Sequence, residues 1–72
     1  MFQIVKYKDF QDSGNLKKTI NFLKNGDFKS AESKKLSNSN YFRAKINYED
    51  RLLFTFLKDD KIKYILLLEV IL

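Results

Sequence analysis

Residues 41–57, YFRAKINYEDRLLFTFL, decide the fold of this chain. From Tyr41 the apolar side chains recur every second residue: Phe42, Ala44 and Ile46 point one way, while Tyr41, Arg43, Lys45 and Asn47 point the other. A period of two is the signature of a strand, here with one apolar and one basic face. Tyr48-Glu49-Asp50 is polar and makes a turn, after which Arg51 to Leu57 is apolar at both parities, as a central strand covered on each side would be. Asp59-Asp60 provides the next turn. The final run, Lys61 to Leu72, alternates at first and then becomes continuously apolar through Ile65-Leu66-Leu67-Leu68. Its β-branched and aromatic residues favour a strand over a helix. These three segments predict an antiparallel meander.

Ahead of the meander, Phe2 to Tyr7 is rich in β-branched and aromatic residues and predicts a first strand. Leu16, Ile20 and Leu23 recur at helical spacing, with Asp12 or Ser13 as candidate N-cap and Gly26 as the stop. Lys17, Lys18 and Lys24 surround that stripe as a solvated face. Asp27 offers a second cap, and Phe28, Ala31, Lys35 and Leu36 give a weaker helical stripe, predicting a second short helix over about residues 29–35. Ser37 to Asn40 is a polar loop. The expected fold is therefore one α+β domain over residues 1–72, with an N-terminal strand, two short helices and a three-stranded antiparallel meander.

With 72 residues the chain has room for one core, and a domain of this size hides only about 60% of the surface of its unfolded form. An apolar fraction of 44%, carried by seven Phe, four Tyr and many Leu and Ile, suffices for that core and argues against disorder. There is no Cys, so disulfides and thiolate metal sites are excluded, and a reducing cytoplasm fits. There is no His, which removes histidine-based triads and His-containing zinc sites. The acidic residues form no metal-ligand spacing, and no cofactor is expected. The longest uncharged apolar run, Tyr64 to Leu68, is far below the about 20 residues that cross a bilayer, and Met1 to Lys8 does not read as a targeting segment.

The formal charge of +5 is compatible with RNA, DNA or an acidic protein as partner. Candidate phosphate-binding residues are Lys34, Lys35, Arg43, Lys45 and Arg51. Arg51 is also placed to anchor its turn or to pair with Glu49 or Asp50. Tyr41 and Tyr48 are candidates for stacking on bases. An exposed strand edge offers a route to a homodimer. Val70-Ile71-Leu72 is an apolar terminus, which fits either the N-terminal piece of a longer protein or a C-terminal strand tucked into the sheet.

Lys35-Leu36, then Tyr41 to Ile46, then Asp50 to Phe54, then Ile65 to Val70 resemble, in this order, the C-terminal half of RelE/ParE-type toxins. The resemblance implies a β-α-α-β-β-β fold and a toxin-antitoxin-type domain that binds RNA, the ribosome or gyrase, with an antitoxin or a parent-protein domain as protein partner. It places Arg43, Lys45 and Arg51, with Lys34 and Lys35 ahead of the loop, at the family's basic positions. It implies ribonuclease activity for one branch, whose functional residues follow the last strand. The sequence ends at Leu72 without them, so a weakly catalytic or inactive domain is expected. Similar segments front superfamily I DNA helicases, which gives the alternative of a non-catalytic accessory module. The chain has no Walker-type phosphate loop of its own.

Overall fold

A computed structural model describes residues 1–12 and 14–71. Five strands and one helix follow in the order β1 (Gln3–Lys6), α1 (Lys17–Lys24), β2 (Lys34–Lys35), β3 (Tyr41–Lys45), β4 (Arg51–Asp59) and β5 (Ile62–Ile71). The strands form one mixed sheet in the spatial order β1-β5-β4-β3-β2. β3, β4 and β5 are antiparallel neighbours, β2 adds antiparallel to β3, and β1 lies parallel to β5 with Ile4 opposite Ile65.

This corrects the expectation of an α+β fold with two helices and three meander strands: the described chain is mostly sheet with one short helix. The second helix does not form. Residues 28–33 wind a single turn that closes with Glu32 N–H donating to the Lys29 carbonyl (3.0 Å) and Ser33 N–H to the Phe28 carbonyl (3.0 Å). Glu32 sits at φ 50, the left-handed conformation that ends a helix. Lys34 and Lys35, expected in that helix, pair with Arg43 and Phe42 across the sheet. The apolar stripe was weak, and strand pairing outweighed it.

α1 is stopped by the same device. Gly26 N–H donates to the Leu23 carbonyl (3.0 Å) and Asp27 N–H to the Phe22 carbonyl (2.8 Å), with Gly26 at φ 75. The helix starts without a side-chain cap at Leu16. Asp12, a candidate cap, instead accepts a hydrogen bond from Lys6 Nζ, and Ser13 lies outside the described residues. A Cβ at Gly26 would meet only Phe2 Cε2, at 3.8 Å, which is ordinary contact. Gly26→Ala is therefore expected to cost about 1 kcal/mol from the left-handed backbone alone, without steric clash. A urea titration reads this directly, and an unchanged midpoint would contradict it.

One face of the sheet builds the core. Ala44, Leu52, Phe54, Ile65 and Leu67 are buried on it beneath Leu16 and Leu23, with Ala31. Thr19 on α1 donates its hydroxyl to the Lys45 carbonyl (2.9 Å), tying the helix to β3. A register shift between Leu53 and Phe54 pairs Leu53 with Glu69 but Phe54 with Leu67, leaving Leu68 between them. The bulge lets Leu67 and Val70, three residues apart, serve the same face. The apolar run through Leu68 thus combines a regular alternation, with Leu66 on the opposite face beside Val5 and Thr55, and one extra residue at the bulge.

No described element covers the opposite face. Rows of cross-strand partners run over it: Lys34-Arg43-Leu53-Glu69, Lys45-Arg51-Ile71, Tyr41-Thr55-Leu66-Val5 and Leu57-Tyr64-Gln3. Tyr41 (48% exposed), Leu57 (46%) and Val5 (39%) stand open to solvent. β4 is thus covered on one side only, which corrects the expectation of a strand covered on both. The sheet's edge strands β1 and β2 are short and carry Lys6, Lys34 and Lys35, features that discourage pairing with another edge.

Candidate functional site

The uncovered face concentrates positive charge at one corner. Strand alternation sends Arg43 and Lys45 to this face, and the registers bring Lys34 opposite Arg43 and Arg51 opposite Lys45. Directly opposed residues have Cβ atoms about 4.5–5.5 Å apart, and like charges there destabilise a sheet. Two adjacent like-charge pairs therefore sit side by side on neighbouring strands.

Glu32, Lys34, Arg43, Lys45 and Arg51 line a shallow hollow of about 100 Å³ between them. That is about three waters' share of liquid volume at roughly 30 Å³ each, the scale of a phosphate group and well below a whole small-molecule pocket. Four cations face one carboxylate. Glu32 pairs with Lys45 at 3.5 Å, with the Glu32 side chain 62% exposed, so this bridge adds little stability. Lys45 Nζ also lies 5.0 Å from the centre of the Tyr48 ring. Among the described residues neither Lys34 nor Arg43 has a carboxylate partner.

Arg51 has a structural task as well as a charge. Its Nη1 donates to the Asn47 carbonyl (2.6 Å) and the Asp50 carbonyl (3.0 Å). The guanidinium thus anchors the turn between β3 and β4, and pairing with the Glu49 or Asp50 carboxylate is not what holds it. Asn47 completes the turn, its Oδ1 accepting from both Glu49 N–H (2.8 Å) and Asp50 N–H (2.8 Å). Sequence reading overlooked Asn47 and Glu32. An Asn opening a polar turn is a recognisable signal for the first. Nothing local marks the second, since its carboxylate reaches the site only because residues 28–33 end in a left-handed turn.

Of the five basic residues expected at the site, the structure brings together Lys34, Arg43, Lys45 and Arg51. Lys35 is excluded. It pairs with Phe42, takes the other parity, and lines a separate hollow with Asn40, Phe42, Thr55 and Phe56. Tyr41 shares the face of Arg43, and Tyr48, 91% exposed, projects beside Lys45. No group of acidic side chains able to hold a metal occurs among the described residues. The arrangement can hold an anion through charge-assisted hydrogen bonds and offers exposed rings nearby.

No protein family, curated protein or solved structure matches the chain. The toxin-antitoxin and helicase designations therefore have no support there. The expected α+β fold likewise gives way to a mixed sheet with one helix. No helix among the described residues is long and apolar enough to cross a membrane.

Proposed function

We propose that this domain is a non-catalytic binding module for single-stranded RNA, acting in the cytoplasm, with the backbone held at the corner formed by Lys34, Arg43, Lys45 and Arg51. The observation that carries the reading is the pair of like-charge cross-strand contacts around a phosphate-sized hollow. Such an array raises the free energy of the unliganded sheet, and a bound phosphate relieves the repulsion while accepting hydrogen bonds from both strands. Single strands are favoured over duplexes because Tyr41 and Tyr48 stand exposed beside the cations. Unpaired bases stack on such rings, whereas duplex bases are already stacked on one another.

The test is a fluorescence-anisotropy titration of labelled single-stranded RNA and a matched DNA duplex over a range of salt. Each phosphate neutralised on a single strand adds about −0.7 to the slope of log K against log salt, so four contacts give a slope near −3. The variant Lys34→Ala with Arg43→Ala is expected to halve that slope and weaken binding at least tenfold. Lys17→Ala with Lys24→Ala removes the same charge from the exposed face of α1 and is expected to leave the slope unchanged. Equal effects of the two double variants would reduce the interaction to net charge and defeat the proposal. Tighter binding to the duplex would overturn the single-strand preference.

A further inference from the structure

The hairpin end of the sheet holds a hollow of different chemistry. Lys58 and Lys63 are direct cross-strand partners on β4 and β5, a third like-charge pair, this time on the helix-bearing face. Seven residues of β4 separate Lys58 from Arg51, about 23 Å at roughly 3.3 Å per residue. With Phe2, Phe56 and Leu57 the two lysines line an open hollow of about 310 Å³. Its floor is aromatic and mutually braced: Phe2 and Phe56 have ring centroids 5.6 Å apart, and each lies 5.5 Å from Phe28.

Among the described residues no carboxylate pairs with either lysine. The ion pairs among the described residues are Lys6 with Asp12 and Lys45 with Glu32. Asp59 follows Lys58 on the strand and takes the opposite parity, opposite Ile62. Two lysines, each contributed by a different strand, therefore line an apolar depression without a carboxylate partner among the described residues.

We propose that this hollow binds a small apolar carboxylic acid, its hydrocarbon against Phe2 and Phe56 and its carboxylate bridging Lys58 and Lys63. Two point-like cations side by side match the two oxygens of a carboxylate. Apolar walls with only those polar groups suit a hydrocarbon body better than a sugar-phosphate chain, and a volume near the lower bound for ligand pockets, about 300 Å³, sets a small size. The site is independent of the basic corner, being at the other end of β4, with Phe56, Lys58 and Lys63 on the helix-bearing face and Leu57 at the rim.

Octanoate is the probe, with octanol and octylammonium as chain-matched controls, followed by calorimetry and by amide shifts of the full chain. Saturable shifts clustered at Phe2, Phe56 to Lys58 and Lys63 are expected for octanoate, with both controls at least tenfold weaker. Lys58→Gln with Lys63→Gln is expected to weaken octanoate binding at least tenfold while the unliganded variant melts no lower than the parent, because opposed like charges have been removed. That combination separates a lost binding site from a lost fold. Octanol binding as tightly as octanoate, undiminished binding to the double variant, no saturable shift, or shifts centred on Arg43 and Arg51 would each overturn the proposal.

Discussion

Phe54→Ala is expected to destabilise the domain by about 3–5 kcal/mol, the usual range for emptying a buried aromatic site. Phe54 is fully buried on β4, between β3 and β5, and it is among the largest side chains so placed. Its ring stacks on Phe42 at a centroid distance of 5.6 Å and meets the edge of Phe56 at 5.6 Å. Phe56 in turn contacts Phe2, Phe28 and Phe42, so one truncation removes the support of a connected aromatic cluster. Stability of about 0.05–0.15 kcal/mol per residue gives a chain of this length roughly 4–11 kcal/mol in total. The loss is between about a quarter and the whole of that total, so the variant's unfolding midpoint should fall steeply in a urea titration followed by circular dichroism. A midpoint close to the parent would show that the β4 core is not where the stability resides.

Leu23→Ala is expected to cost about 2–5 kcal/mol, and to do so unevenly. α1 is eight residues long and has no side-chain cap at its start. Isolated helices shorter than about 12–15 residues are marginal in water, so this one persists through its buried residues. Those are Leu16 at its start, with Thr19 and Leu23 within it, and Leu23 is wholly buried. The sheet retains its cross-strand pairing without Leu23. Amide exchange should show α1 losing protection by a larger factor than β4 and β5, because local detachment of the helix becomes easier than global unfolding. Uniform loss of protection would mean that helix and sheet open as one unit. Together the two variants distinguish the element that holds the sheet from the element that only covers it.

Local pattern reached a definite part of this result. The alternation from Tyr41 to Lys45 was enough to put Phe42 and Ala44 on one face and Arg43 and Lys45 on the other, because a strand's side chains can only alternate. The helical spacing of Leu16, Ile20 and Leu23, with Gly26 beyond, marked α1 and its end. The anchoring of the turn by Arg51 was legible too, since the side chain follows the turn directly.

Three features waited on tertiary structure. The pairing of β1 with β5 joins residues 61 positions apart, as Ile4 and Ile65 are, and no local pattern carries that information. Residues 28–35 hold an apolar stripe that serves a helix or a turn and strand equally well, and the available edge of β3 decided between them. The choice also decided the site. In a helix Lys34 and Lys35 would stand about 100° apart around the axis, whereas in β2 they part to opposite faces and only Lys34 joins Arg43. The sequence by itself determined which side chains alternate and which could be buried. Only the assembled sheet decided which cations meet, because that depends on the register between strands that the chain brings together from a distance.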